Sequence, residues 1–229
     1  MRVLRIAEYR AAFLRTRVAA AVEHDRILAG FELNTVVDIG ANRGQFALCM
    51  RRLYPQAQIY SFEPLQKPAS AWRKNFGHDP RARLYAKAVA PSSGRAEMHV
   101  TRWDVSSSLL PIGREQQRSF PLSDEAGLQT VETARLSDCL PTAALVAPAL
   151  LKLDVQGFEL EALQGCEDLL ASFKFVYVEA SFIELYVGQA LAGEVIAYMF
   201  ARNFRLLCVA NLSIDRRGRP LQADFLFSS

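Results

Sequence analysis

The stretch Val36 to Gly44, VVDIGANRG, constrains this chain more than any other. Two β-branched residues lead into an aspartate. Gly40, two short side chains, an arginine and Gly44 follow, and then the apolar run QFALCMRRLY. The pattern reads as a strand, a tight glycine turn and a helix start. Such a turn brings a ligand close to backbone amides at a helix N-terminus, where Cβ atoms would be in the way.

The spelling of the turn bears on the ligand. A pyrophosphate-binding turn reads G-x-G-x-x-G. That triplet is missing here, and the carboxylate of Asp38 stands just before the turn. A carboxylate repels a pyrophosphate and suits a cation. These residues therefore favour S-adenosylmethionine, with its sulfonium and ammonium, over a nicotinamide dinucleotide. The same spelling also serves an ordinary tight turn, so the turn alone does not decide.

Repeated strand and helix signals follow. Strands are expected at Thr35–Ile39, Gln58–Phe62, Arg83–Val89, Ala149–Val155, Phe175–Ala180, Arg205–Val209 and Ala223–Phe227. Helices are expected at Gly44–Tyr54, stopped by Pro55, near Lys67–Phe76, from Gly157 to Gly165, and at Glu194–Arg202. The turn DRRGRP makes the last two strands antiparallel. Repeated βα units imply an α/β fold: a mostly parallel sheet with an antiparallel last strand and helices on both faces. Ala96–Arg102 and Gln129–Leu136 alternate like exposed strands and read as an antiparallel excursion, with the long loop WDVSSSLLPIG after the first.

Size and charge narrow the class. A chain of 229 residues with 51% apolar content suits one globular domain with ample core. Lys+Arg 27 against Asp+Glu 24 gives no strong field for nucleic acid. Cys49, Cys139, Cys166 and Cys208 form no C-x-x-C pair and read as reduced core residues of a cytoplasmic protein. No apolar run approaches the ~20 residues of a membrane helix, and the most apolar stretch, Leu140 to Leu153, is interrupted by Pro141, Pro148 and Lys152. Residues 1–33 read as an N-terminal helical extension, packed on the domain or serving as a lid, and residues 34–229 as the main domain. A homo-oligomer is left open.

The strand ends carry the chemistry, because ligands of an open α/β sheet bind at the C-terminal edge. Asp38, Glu63, Asp154 and Glu179 each close an expected strand. A single such acid is often a helix cap; four together point to a site. Glu63 lies nineteen residues after Gly44, a spacing at which an acid reaches both hydroxyls of a ribose, with Pro64 fixing the backbone after it. Lys87, Ala88 and Val89 offer small apolar walls to an adenine ring. Asp154 and Glu179 are both candidates to accept a hydroxyl proton. His24, His78 and His99 pair with nothing at metal spacing, so no metal is expected. Ser106, Ser107 and Ser108 belong to a loop suited to sugar-like hydroxyls, and Phe182 and Tyr186 to a stacking wall.

Taken in order, VVDIGANRGQF, SFEP, LLKLDVQGFELEALQGCEDLL, VYVEASF and QADFLF resemble the FkbM-type methyltransferase family, from about Asn34 to Phe227. The resemblance implies a Rossmann-like class I methyltransferase sandwich with a seven-stranded sheet. It implies S-adenosylmethionine as methyl donor and a glycan or small-molecule hydroxyl as acceptor. By position it makes Asp38, Gly40, Ala41, Asn42 and Gly44 the cofactor turn and Glu63 the ribose acid. The family often has glutamate where this chain has Gln156, a departure that leaves Asp154 the more isolated acid. The competing readings are a nicotinamide-dependent oxidoreductase on a similar sheet and a non-catalytic binding protein that keeps the fold.

Overall fold

The computed structural model describes residues 5–102 and 104–229. The first four residues of the expected N-terminal helix, and Trp103 of the expected loop, lie outside the described residues.

The N-terminal segment is broken where one helix was expected. Helix α1, Ala7–Thr16, ends at Arg17, which takes the left-handed conformation with φ 59°. The chain then runs extended to a 3-10 turn, Val22–His24, and a short helix α2, Asp25–Leu28. Ala19 to Ala21 are good helix formers, so tertiary packing overrides propensity here. Val18 and Ala20 are buried, and the Ala21 N–H donates to the Gln45 carbonyl at 3.1 Å. Tyr9, fully buried, anchors α1 through its hydroxyl on Asp25 at 3.2 Å, and the Cys49 thiol donates to the same oxygen at 3.0 Å.

The doubly wound core begins with β1 Thr35–Ile39, α3 Gln45–Leu53, β2 Gln58–Phe62, α4 Gln66–Phe76 and β3 Ala82–Tyr85. The strand expected over Arg83–Val89 is two strands. β3 stays in the main sheet, while β4, Ala88–Val89, joins a second sheet with β5 Gly94–Thr101 and β6 Glu125–Ala134. β5 and β6 pair antiparallel, as the alternation in this excursion predicts. A 3-10 turn, Asp104–Ser106, and helix α5, Arg114–Ser119, lie between them.

After α6 Leu136–Cys139 the main sheet resumes with β7 Ala149–Leu153, α7 Glu159–Gly165, α8 Glu167–Leu170, β8 Phe175–Ser181, α9 Ala192–Phe200, β9 Arg205–Ile214 and β10 Pro220–Ser228. The strand order is β3-β2-β1-β7-β8-β10-β9, and β10 alone runs antiparallel to its neighbours. β1 and β7 are buried along their whole length, as strands covered on both faces must be. Val37, Ile39, Leu151, Leu153 and Val178 pack on one face; Val36, Leu150, Tyr177, Phe46 and Met50 pack on the other. The order reverses between β1 and β7, and that switch point is where an open α/β sheet holds its ligand. Among the described residues, no helix is long and apolar enough to cross a membrane.

Candidate active site

A cavity of about 370 Å³ opens at the switch point. Its floor comes from the ends of β1 and β7, one wall from Glu63 to Leu65 and Lys87 to Val89, and another from Ala19 to Ala21, Glu23 and His24 of the N-terminal segment. Val105, Ser107 and Leu109 of the excursion close the rim.

Of the residues given cofactor, wall or substrate-loop roles from the sequence, Gly40, Ala41, Asn42, Glu63, Pro64, Lys87, Ala88, Val89, Ser107 and Asp154 line this cavity. Asp38, Gly44 and Glu179 stand outside the lining. Gly44 has φ 90°, and a Cβ there would stand 2.9 Å from Trp72 and 3.0 Å from Phe76, so its smallness serves the packing of α4. Gly40 is needed at the site itself. Its φ is 78°, and a Cβ would fall 1.9 Å from the Asp154 carbonyl oxygen.

The amides of the turn do not wait for a ligand. The N–H groups of Gly40 and Ala41 donate to the Phe62 carbonyl at 3.1 and 3.0 Å. The Asn42 N–H donates to Glu63 Oε2 at 3.0 Å, and the Arg43 N–H to Asn42 Oδ1 at 2.9 Å. The Gly44 N–H donates to the Ala41 carbonyl at 2.8 Å. The expectation that the turn offers its amides is corrected accordingly: it offers the Gly40 carbonyl and side chains instead.

Asp38 is fully buried and faces Lys152, its register partner on β7, at 3.2 Å. Neither carboxylate oxygen has a well-aligned hydrogen bond among the described residues. Burial raises the Asp38 pKa above its ordinary value, and the Lys152 charge opposes that rise. Lys152 also stands 3.5 Å from Asp154 Oδ2 and 3.4 Å from the Gly40 carbonyl. Burial pulls the ammonium pKa down, but Asp38 and Asp154 outweigh it and hold it above its usual value.

Glu63 is held by two backbone donors, Asn42 N on Oε2 and Leu65 N on Oε1 at 2.7 Å. Glu179 is clasped by two side-chain amides, Gln222 on Oε1 at 2.7 Å and Gln156 on Oε2 at 3.1 Å. Burial, then the Asp154, Asp224 and Glu159 carboxylates, push its pKa well above the usual carboxylate range. Gln156 also donates to Asp154 Oδ1 at 2.8 Å. Asp154 is therefore not the isolated acid expected from the glutamine substitution; a neutral amide clamps it to Glu179. The Tyr186 hydroxyl stands 2.7 Å from Gln156 Oε1 and fixes that amide in turn. The carboxylate held by backbone amides at the start of α7 is Glu159. Its Oε1 accepts from Val155 N at 3.1 Å and Gly157 N at 3.0 Å. Burial pushes Glu159 up to about 7.

The serine loop is braced on itself. The Ser107 hydroxyl accepts from Thr101 N at 3.1 Å and the Ser108 hydroxyl from Leu110 N at 3.0 Å, and of the three serines Ser107 lines the cavity. Phe182 packs on Phe225 at 5.8 Å, and neither Phe182 nor Tyr186 lines the cavity. His99 pairs with Glu125 at 2.8 Å, away from the lining.

This geometry agrees with the family comparison: residues 38–206 match the Methyltransferase FkbM domain. The chain belongs to the FkbM methyltransferase family. Among FkbM relatives, it is 35% identical over 162 residues to the 2-O-methyltransferase NoeI of Sinorhizobium fredii, covering 67% of this chain and 66% of that protein. It is 28% identical over 144 residues to the hexuronic acid methyltransferase AglP of Haloferax volcanii, covering 62% of this chain and 54% of that protein. The matched region thus spans between about half and two thirds of these relatives' lengths. The precorrin-6y C5,15-methyltransferase of Geobacter metallireducens shares the fold, with TM-score 0.52 at 12% identity over 93% of each chain.

Two residues of the cavity lining, Lys152 and His24, carry no role in the sequence pattern. Lys152 registered only as an interruption in an apolar run, although a lone cation inside LLKLDV is itself a signal of a buried partner. His24 has no histidine or cysteine partner at metal-ligand spacing in the sequence. Its neighbours are Phe46, Tyr177 and Asp224, which only the fold brings to it.

Proposed function

We propose that this chain is an S-adenosylmethionine-dependent O-methyltransferase acting on a hydroxyl of a glycan or small molecule. Residues 34–229 form its methyltransferase domain, and residues 1–33 an extension that walls the donor side. The observation that carries the reading is the turn itself. Its N–H groups are engaged within the chain, and carboxylates stand beside it. A pyrophosphate finds no donors in such a turn, whereas a cationic, adenosine-bearing ligand finds acceptors.

The residues present fit that donor. Glu63 lines the cavity with its carboxylate placed by backbone donors, a position from which it suits a ribose diol. Leu65, Ala88, Val89, Met98 and Leu109 give the cavity apolar walls suited to an adenine face. The Gly40 carbonyl and Asp154 supply negative potential for an ammonium, and the Asp38 charge offsets that of Lys152. When bound, the donor supplies an electrophilic methyl group on a sulfonium centre.

The chain's part is then to orient the reactants and to exclude water. Asp154 is held from both sides, by Gln156 and by Lys152, at the cavity floor. Glu179 is pushed toward its protonated form and stands behind Gln156, a poor proton acceptor but a fixed anchor. Of the two acids, Asp154 is the one at the cavity. Alignment of acceptor and donor supplies much of the rate in a reaction of this kind. The FkbM assignment supports methyl transfer, and the names of the two relatives, a 2-O-methyltransferase and a hexuronic acid methyltransferase, support a sugar hydroxyl as acceptor.

Incubation with methyl-labelled donor and a panel of methyl glycosides and methyl glucuronides tests the reading. Label appearing as an ether on a sugar oxygen is the expected result. Label appearing only on nitrogen, carbon or sulfur acceptors would overturn the O-methyl assignment.

A further inference from the structure

The N-terminal segment brings to the cavity a histidine that lies outside the residues matching the family domain. His24 sits on the 3-10 turn, mostly buried, its ring edge-on to Phe46 at 5.3 Å and to Tyr177 at 5.4 Å. Its Nδ1 stands 3.0 Å from the Tyr177 hydroxyl. That hydroxyl stands 2.8 Å from Asp224 Oδ2, and Asn211 donates to the same carboxylate oxygen at 2.7 Å.

The order of donors fixes the ring. A tyrosine has one proton, and a carboxylate is the stronger acceptor. The Tyr177 proton therefore goes to Asp224, and its oxygen is left to accept from Nδ1–H of His24. The competing donor, Asn211 Nδ2, is 3.4 Å from Nδ1 and 3.3 Å from the Tyr177 oxygen, which has a second lone pair for Nδ1–H, and it spends its better bond on Asp224. With Nδ1 protonated, Nε2 carries the lone pair. Among the described residues Nε2 has no hydrogen bond, and Glu23 Oε1 stands 3.7 Å from it.

We infer that His24 is the base of the reaction, its Nε2 taking the acceptor hydroxyl proton while Tyr177 and Asp224 hold the ring in the required tautomer. This rests on the methyltransferase reading. In the step, the O–H bond breaks and its electron pair stays on the acceptor oxygen to form the new O–C bond; the donor's C–S bond breaks with its pair left on sulfur, so a neutral thioether leaves, and the proton binds Nε2. Glu23, half exposed, stands within reach to balance the imidazolium and lead the proton toward solvent. The groups facing the ring are Glu23, Asp25, Asp154, Asp224, Lys152 and Tyr177. Burial keeps the free imidazole uncharged, with its pKa pushed down to about 4, while Glu23, Asp154 and Asp25 favour the charged form and Lys152 opposes it.

The test begins without acceptor or donor. Nitrogen NMR of histidine-labelled full-length chain reports the tautomer, and His24→Gln assigns the signal among the three histidines. The expected pattern is a protonated Nδ1 and a bare Nε2, persisting below the ordinary histidine pKa of about 6.5. A protonated Nε2, or a charged ring at neutral pH, overturns the inference. Turnover on the first glycoside the wild type methylates is then compared. His24→Gln should lose about 100-fold or more in kcat, a larger loss than any fall in S-adenosylhomocysteine affinity. Tyr177→Phe should lose less and shift the tautomer toward protonated Nε2. Turnover by His24→Gln equal to wild type overturns the inference. A wild-type chain that methylates no hydroxyl fails the parent reading instead, and the tautomer still judges the geometry on its own.

Discussion

Asp38 and Lys152 stand opposite each other on neighbouring parallel strands, 3.2 Å apart, beneath the cavity floor. The pair is asymmetric. Lys152 keeps Asp154 and the Gly40 carbonyl if Asp38 is removed, whereas Asp38 has no other charge partner or well-aligned donor among the described residues.

That asymmetry gives a ranked prediction. Lys152→Met leaves a buried carboxylate uncompensated and should cost about 3–5 kcal/mol of folding stability. Asp38→Asn should cost clearly less, and the double variant less than Lys152→Met alone. Urea denaturation of the three proteins checks the order. Equal losses for the two single variants would mean that the lysine depends on Asp38 alone.

Gly40 and Gly218 both have positive φ, 78° and 80°. They differ in what surrounds them. A Cβ at Gly40 meets the Asp154 backbone oxygen at 1.9 Å, while nothing lies within 4 Å of one at Gly218. Gly218→Ala should cost only the left-handed strain, about 1 kcal/mol. Gly40→Ala should cost about 3 kcal/mol or more and abolish S-adenosylhomocysteine binding, because the turn must move away from β7. Thermal melts with and without that ligand separate the two.

Much of this fold was legible in the sequence because β1, β2, β7 and β8 are short, mostly apolar runs and the βα alternation is regular. Strand-end reasoning led to Glu63 and Asp154, which line the cavity, whereas Asp38 and Glu179 lie within β1 and β8 and outside the lining. What the pattern could not give was which way each acid faces. Asp38 turns to Lys152, and Glu179 to Gln156 and Gln222. Nor could it give the break at Arg17, since Ala19 to Ala21 favour helix and only contact with the cavity wall draws them out. The meeting of His24 with Tyr177 and Asp224 joins positions 153 residues apart or more, beyond the reach of any local periodicity.

Glu159 makes stability depend on pH. Its folded pKa, about 7, lies above the ordinary 4.5, so the protonated form is the one the fold prefers. Its contribution is present in full below about 4.5 and is lost as pH rises through about 7. The total is on the order of 3 kcal/mol. Glu159→Gln keeps an oxygen for the Val155 and Gly157 amides and stays neutral. Its melting temperature should therefore gain on wild type as pH rises across that window, in a series of scans at constant ionic strength. A constant difference would show that Glu159 titrates elsewhere.

Glu63 both pins the turn and faces the cavity. Glu63→Gln keeps an acceptor for one backbone amide but weakens a charged hydrogen bond to the ribose. S-adenosylhomocysteine affinity should fall about tenfold or more, with adenosine falling in parallel because it carries the same diol. Unchanged adenosine binding would remove Glu63 from the ribose site.

The central claim is that the cavity takes a cationic adenosine donor and not a dinucleotide. Calorimetric titration of the purified chain with S-adenosylhomocysteine, with NAD in a parallel cell, tests it most directly. The account predicts micromolar binding of S-adenosylhomocysteine and no heat from NAD; binding of NAD alone would contradict it.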